Sequence, residues 1–174
     1  GPRAGERRMS RIDPKATRGY RNRNPGNIEH VPANKWQGLA DPSSDGRFCR
    51  FVSHEHGIRA LAALLTTYQD RHGLRTVRGI IGRWAPPGEN DTSAYVAVVA
   101  RRMGVGAEEP VDLHRHGQIR PMVEAIIAHE CGGLAYPAAV IDRALTLAGV
   151  PPPAPETLRQ VATTTGTGRG AVAV

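Results

Sequence analysis

The chain has 174 residues, which is enough for one domain with a substantial core and flanking segments. Its 23 Lys and Arg against 16 Asp and Glu give a net charge of +7, which favours anionic partners such as nucleic acid, anionic lipid or bacterial cell wall. Two cysteines are too few for a disulfide framework, and no run of about 18 apolar residues is present to span a membrane.

The two ends of the chain differ in composition from its middle. Residues 1–17 carry many charges without apolar periodicity, so we predict a flexible basic arm that lacks the apolar segment of a secretory signal. Residues 151–174 begin with a proline-rich stretch typical of a stiff linker and continue in low-complexity sequence, which predicts a disordered tail. The ordered domain is therefore expected to span residues 18–150.

The first ordered segment is predicted to be a turn followed by a hairpin. Asn24-Pro-Gly-Asn27 is a strong turn signal. Asn22, Asn24 and Asn27 can bond either to the backbone of that turn or to the hydroxyl and acetamido groups of a sugar, and turn building is the commoner use of such residues. The apolar residues that follow predict a small hairpin within residues 28–52.

Five segments show the apolar periodicity and the end signals of helices. Ser53 is a suitable N-cap for a helix that ends at Gly73, and Asp91 or Thr92 caps a later helix that ends at Gly104. The expected fold class is mainly α, with a small β-hairpin or irregular lobe. The predicted helices cover about residues 53–72, 76–84, 91–103, 116–131 and 137–148.

The fourth predicted helix ends at an acid, Glu130, which Gly132 and Gly133 follow. Pro121 is interpreted as a first-turn proline, since a proline there loses no hydrogen bond. A carboxyl group held against apolar side chains keeps its proton more readily than one in water, which is the setting that a general acid requires. The alternative is an exposed acid at a helix end, and the pattern alone favours that alternative. Four apolar residues precede the acid at helical spacing: Met122, Val123, Ile126 and Ile127.

The histidines and cysteines form no recognisable metal-binding or catalytic motif. His54-Glu-His56 and His114-Arg-His116 lack the spacing of His-Glu-x-x-His, which places two ligands on one helix face. A nucleophilic Cys131 paired with His129 is disfavoured because residues two apart on a helix do not face each other. We therefore expect no metal or other cofactor. The arginines are spread along the chain, so no specific nucleic-acid partner is expected.

Several short motifs occur along the ordered part of the chain. They are Arg21-Asn-Arg-Asn-Pro-Gly-Asn-Ile28, Trp36-x-Gly38, Phe48-x-x-Phe51, Gly57-Ile-Arg-Ala60, Tyr68, Ile80-Ile-x-x-Trp-Ala-Pro-Pro-x-Glu-Asn-x-Thr-x-x-Tyr95 and His129-Glu-x-Gly132. Together these motifs resemble a domain family found in phage virion and lysis proteins that degrade peptidoglycan. The resemblance extends over about residues 18–149, and the family usually has Asn where this chain has Cys131.

A second resemblance concerns the order of the elements. Asn27-Ile28, Trp36-x-Gly38, Phe51-x-Ser53 and the helix that follows are similar to flagellar-type glucosaminidases and other lysozyme-like peptidoglycan hydrolases. In those proteins the helix with the catalytic glutamate precedes the Asn-containing segment, whereas Glu130 comes near the end here. The resemblance therefore implies a circularly permuted lysozyme-like domain, which is physically accessible because chain ends often lie close together.

The resemblance implies that Glu130 protonates the glycosidic oxygen of peptidoglycan strands, as in a lytic transglycosylase or in a muramidase or glucosaminidase. Glu89, after the Pro86-Pro87 loop, is the candidate second catalytic carboxylate, and a helix-capping role for this residue is equally open. We lean towards chemistry that needs one acid. The candidates for sugar binding are Asn27, Trp36, Asn90, Tyr95 and Tyr136.

Bacterial peptidoglycan is the expected partner, together with other virion or lysis proteins. The expected location is the phage virion, or the host cytoplasm with delivery to the cell wall. The rival hypothesis is a non-catalytic virion or cell-wall-binding protein that keeps the fold, because fold alone does not fix function.

Overall fold

The computed structural model describes residues 12–155, which form six α-helices and one two-stranded antiparallel sheet. The chain is mainly α with a small β-hairpin, which confirms the predicted fold class. The hairpin consists of β1 (Leu39–Ser44) and β2 (Cys49–Phe51). The helices are α1 (Arg18–Arg21), α2 (His54–His72), α3 (Val77–Trp84), α4 (Thr92–Met103), α5 (His116–Cys131) and α6 (Ala138–Leu147).

Side-chain caps and glycines define the ends of the longer helices. Ser53 Oγ accepts a hydrogen bond from the backbone N–H of His56, and Asp91 Oδ1 accepts one from Ala94, so both predicted N-caps are confirmed. Left-handed glycines then end three helices, because glycine adopts positive φ without steric cost. These are Gly73, Gly104 and Gly132, with φ of 65°, 70° and 68°.

Helix α5 crosses the centre of the domain. Its predicted apolar residues Met122, Val123, Ile126 and Ile127 are all fully buried. The interpretation of Pro121 as a first-turn proline is wrong, because α5 begins at His116 and the proline lies inside it. Interior prolines remove one helical hydrogen bond, and the extensive burial of the helix around this position offsets that loss.

Two hydrophobic clusters hold the helices and the hairpin together. The larger one joins α2 to α6 with the segments between them, and α5 runs through it. The smaller one fixes the hairpin lobe to α2 through Ile28, Cys49, Phe51 and Ala60. Trp84, at the end of α3, packs against both clusters and so connects the two parts of the fold.

The turn at residues 24–27 is built by one buried amide. Asn24 is fully buried, and its Nδ2 donates to the carbonyls of Ile28 and Cys49, both at 3.0 Å. Its Oδ1 accepts from the backbone N–H of Ile28 at 3.0 Å. Asn22 is also structural, since its Nδ2 donates to Asp45 at 2.8 Å. Of the three asparagines singled out in the sequence, these two serve the fold.

The described residues extend beyond both predicted limits of the ordered domain. A 3-10 turn, Pro14–Ala16, lies in the segment predicted as a flexible arm, and Pro14 packs over Gly133 after α5. Residues 151–155 follow α6 without regular secondary structure. The rest of the predicted arm and tail, residues 1–11 and 156–174, lies outside the described residues. Within residues 12–155, none of the helices combines the length and apolarity needed to cross a bilayer.

Candidate active site

Three distant segments of the chain meet at the carboxyl group of Glu130. This residue lies on the last turn of α5, where Gly132 ends the helix. Its Oε1 accepts a hydrogen bond from the Tyr95 hydroxyl of α4 at 3.2 Å. Its Oε2 is 3.5 Å from the amide Nδ2 of Asn27, which is a long hydrogen bond. Glu130 is half-buried, so it is not the fully exposed helix-ending acid of the alternative interpretation.

Tyr95 is a buried donor aimed at the carboxylate. Its side chain is 1% exposed, and its hydroxyl oxygen accepts from the Trp84 indole Nε1 at 3.1 Å. Burial, with the neighbouring charge of Glu130 as a further cause, holds the pKa of Tyr95 well above its ordinary value. The imidazole of His129 stacks on the Tyr95 ring, with 3.8 Å between ring centroids. The hydroxyl therefore stays protonated and has one acceptor, Glu130, within reach.

Asn27 is held in an uncommon backbone conformation. Its φ of 49° lies in the left-handed region, which asparagine tolerates better than most residues. Its Oδ1 is buried and has no hydrogen-bond partner among residues 12–155. It lies against Gly19, where an added Cβ would be 2.9 Å from this oxygen. The side chain is thus confined from one side by Gly19, while its amide Nδ2 faces Glu130.

Glu130 opens onto a cleft of about 420 Å³ between the helices and the hairpin lobe. Aromatic faces and amides line it, a combination that suits polar rings carrying C–H faces and hydroxyl groups. The aromatic residues are Trp36, Phe48, Tyr68 and Trp84. The amides are Asn27, Asn34 and Asn90, and the acids are Glu29 and Glu130. The remaining lining residues are Gly26, Ile28, Arg47, Leu64 and Ala85.

The cleft brings together some of the predicted sugar-binding residues and leaves others apart. Asn27, Trp36 and Asn90 line it, and Asn90 is fixed by donating from Nδ2 to the Pro86 carbonyl at 3.1 Å. Tyr95 reaches the site only through its contact with Glu130. Tyr136 is absent from the lining; it is buried with its hydroxyl 3.2 Å from His54 Nδ1.

The second carboxylate at the cleft is Glu29 rather than Glu89. Glu89 lies exposed in the loop after α3 and is not among the residues that line the cleft. Glu29, which the sequence interpretation missed, does line it and forms an ion pair with Arg47 at 2.9 Å. No local pattern in the sequence marks Glu29, because its place at the cleft depends on the pairing of its backbone with Phe48.

The thiol of Cys131 and the imidazole of His54 pack against neighbouring protein groups. Within residues 12–155, no three or more His, Cys, Asp or Glu are grouped so as to hold a metal ion. Cys131 is buried on α5, with its Sγ 3.6 Å from the Pro25 carbonyl oxygen, and burial raises the pKa of its thiol. His54 packs between Tyr20 and Tyr136, where burial lowers the pKa of its imidazole.

Comparison with known proteins identifies a relative from a bacteriophage. The chain is 37% identical over 123 residues to a protein named Protein P5 from Pseudoalteromonas phage PM2, which covers 70% of this chain and 75% of that protein. No protein-family model matches the chain. At this identity and coverage the chain belongs to the same family as Protein P5, which associates it with bacteriophage.

Proposed function

We propose that this member of the Protein P5 family cleaves the glycan strands of bacterial peptidoglycan, with Glu130 as the general acid. The observation that carries the proposal is the position of Glu130. Its carboxyl group lies at a cleft lined by aromatic rings and amides, with one hydrogen-bond donor on each oxygen. Glycan cleavage needs such a proton donor beside a surface that binds sugars.

This arrangement supports the chemistry that needs one acid. Glu130 delivers its proton to the glycosidic oxygen as the bond from that oxygen to the anomeric carbon breaks. The carboxylate that results then takes the proton of the C6 hydroxyl of the muramoyl residue, while that hydroxyl oxygen bonds to the anomeric carbon. Protons balance, and the product is a 1,6-anhydro sugar. Tyr95 and Asn27 stabilise the carboxylate between these two steps because both donate to it.

The alternative mechanism for glycan cleavage is hydrolysis. It would need a second carboxylate about 5 Å from the first for retention of configuration, or about 6.5–9.5 Å away for inversion. Glu29 is the candidate for this role, since it lines the cleft with Glu130.

The position of Asn27 relative to Glu130 supports a permuted lysozyme-like arrangement. These residues are 103 positions apart, yet their side chains are within hydrogen-bond distance. In the lysozyme-like hydrolases that the sequence resembles, the helix with the catalytic glutamate precedes the Asn-containing segment. Here the helix at the carboxyl end of the domain lies beside the segment at its amino end. The proposed setting is the phage virion or the lysis of the host, with delivery to the cell wall.

The test is mass spectrometry of muropeptides released from purified sacculi. Release of anhydro-muropeptides supports the chemistry with one acid, whereas reducing-end products support hydrolysis and direct attention to Glu29. If the parent protein releases no muropeptides, the proposal fails. A non-catalytic role in the virion or in binding the cell wall then becomes the better interpretation.

A further inference from the structure

A second groove continues the cleft along α2. It has a volume of about 370 Å³ and shares three lining residues with the cleft: Asn34, Trp36 and Leu64. Ala33, Lys35, Thr67 and Arg71 complete its lining. The groove and the cleft therefore adjoin, and a ligand that fills the cleft can extend directly into the groove. We refer to the part lined by Lys35, Thr67 and Arg71 as the basic extension.

The extension follows one face of α2. Leu64, Thr67 and Arg71 are three and four positions apart, which places them on the same face of a helix. With a rise of about 1.5 Å per residue, Arg71 lies roughly 10 Å along the helix from Leu64. The extension is thus long enough to contact a substituent that projects from a chain held in the cleft.

The two parts of this surface differ in charge. The charged residues that line the cleft are Glu29, Glu130 and Arg47, and Arg47 is paired with Glu29. The charged residues that line the extension are Lys35 and Arg71. Both cations are exposed, and neither has a carboxylate within ion-pair distance among residues 12–155. Asp70, the sequence neighbour of Arg71, is instead 2.7 Å from His114. The extension therefore presents two uncompensated positive charges.

We propose that the basic extension binds carboxylates of the peptide side chains that peptidoglycan carries on its glycan strand. The inference rests on the proposed function, since the cleft must hold the sugar chain for the extension to meet the peptide. Uncharged sugar rings have no partner for two cations, whereas the peptide side chains carry free carboxylates. Lys35 and Arg71 are thus specificity-determining residues, which make peptide-bearing glycan a better substrate than bare glycan.

The test compares two forms of one substrate. Soluble glycan strands are prepared with their peptides, and a matched sample has the peptides removed by an amidase. For the double variant K35Q/R71Q, kcat/KM on peptide-bearing strands should fall about tenfold, a loss within the range expected for two solvent-facing ion pairs. On bare strands it should change less than twofold. R101Q is the matched control, because Arg101 is an exposed cation on α4 that lines neither the cleft nor the extension.

A binding experiment separates this inference from the proposed function. Dissociation constants of E130Q and of E130Q/K35Q/R71Q are measured for both forms of the glycan. Peptide-dependent affinity that the two substitutions abolish supports the extension as a binding site, even if the parent protein proves inactive. Equal affinity of E130Q for both forms, or an equal loss on both forms, overturns it and assigns the groove to the sugar chain. A thermal midpoint within about 2 °C of the parent shows that the variants are folded.

Discussion

The Trp84 indole donates to the Tyr95 hydroxyl at 3.1 Å, and that hydroxyl donates to Glu130 at 3.2 Å. A hydroxyl has one proton, so the incoming bond from Trp84 directs this proton towards the carboxylate. Trp84 also lines the cleft and packs against both hydrophobic clusters. The direction of the donor at Glu130 is therefore set by the packing that joins the hairpin lobe to the helices.

Tyr95→Phe should reduce both stability and activity. The substitution leaves the N–H of the half-buried Trp84 indole without its acceptor, which costs about 1 kcal/mol of unfolding free energy. The thermal midpoint should fall by several degrees. Glu130 loses the hydrogen bond from the Tyr95 hydroxyl, so kcat for glycan cleavage, measured well below the midpoint, should fall as well.

Tyr136→Phe is the control for this prediction. Tyr136 is also a buried tyrosine with a hydrogen-bond partner, His54, but it does not line the cleft. Its loss should lower the midpoint without lowering kcat measured well below that midpoint. An equal fall of kcat in both variants would show that Tyr95 acts only through stability. A specific loss of sugar binding in Tyr136→Phe would instead restore the prediction from sequence that this residue contacts substrate.

Glu130→Gln should separate chemistry from folding. Glutamine keeps the size of the side chain and its hydrogen-bonding capacity but cannot deliver a proton, so the thermal midpoint should be kept or should rise. Lysis of permeabilised cells should fall by a factor of about 10² or more, the lower end of what general acid catalysis supplies. Glu29→Gln and Glu89→Gln test for a second catalytic carboxylate. A comparable fall in lysis in one of these variants would identify that residue as the second carboxylate. Parental activity in Glu130→Gln would remove Glu130 from the mechanism.

Replacing two glycines on neighbouring helices with alanine should change the free energy of unfolding in opposite directions. At Gly57 in α2, an added Cβ would lie 1.7 Å from the Arg23 carbonyl oxygen, so α2 and the loop at residue 23 must separate. We expect a loss of roughly 3 kcal/mol or more. At Gly82 in α3, an added Cβ has no atom within 4 Å, so alanine should add about 0.5–1 kcal/mol by helix propensity. Chemical denaturation measures both, and equal effects would contradict the close approach at Gly57.

Asp45 should make the attachment of the hairpin sensitive to acid. Arg18 bonds to its carboxylate, with Asn22 and the backbone N–H groups of Phe48 and Arg47 as further donors, and these hold the pKa of Asp45 far below its usual value. A depressed pKa contributes stability above the unfolded value of about 4 and loses it as the pH falls below that value.

The variant Asp45→Asn tests this dependence. It should have a lower thermal midpoint than the parent at pH 7, because its amide would face the donors of Arg18 and Asn22. The difference should shrink as the pH is lowered from 4 to 2. Glu89→Gln, the substitution of an exposed loop acid, should show no such trend. A difference between Asp45→Asn and the parent that stays constant with pH would mean that the lost contacts are steric and not ionic.

The elements that local sequence determines were predicted well. The five longer helices and the hairpin were predicted because caps such as Ser53 and glycines such as Gly73 act within one turn of the chain. Pro121 was misplaced because the first-turn preference of proline is statistical, and tertiary burial of α5 overrides it. The 3-10 turn at Pro14–Ala16 was missed because its packing partner, Gly133, is far away in sequence.

The composition of the site was harder to predict because it depends on long-range contacts. Glu130 and Asn27 were chosen individually, and their proximity becomes visible only in the folded chain. Glu89 was preferred as a second acid because it follows a rigid proline loop, but that loop leaves it exposed. Glu29 looked like an ordinary charged residue after a turn. Only the pairing of its backbone with Phe48 places it at the cleft.

The separation of 103 positions between Asn27 and Glu130 also determines when the cleft can exist. The ribosome synthesises the amino-terminal segment first, so Asn27 emerges long before Glu130 does. Closing so long a loop is slow compared with forming the local helices between its ends. A partly synthesised chain therefore has Asn27 without Glu130. The proposed glycan cleavage would accordingly be absent until Glu130 has been synthesised and α5 has folded against the amino-terminal segment.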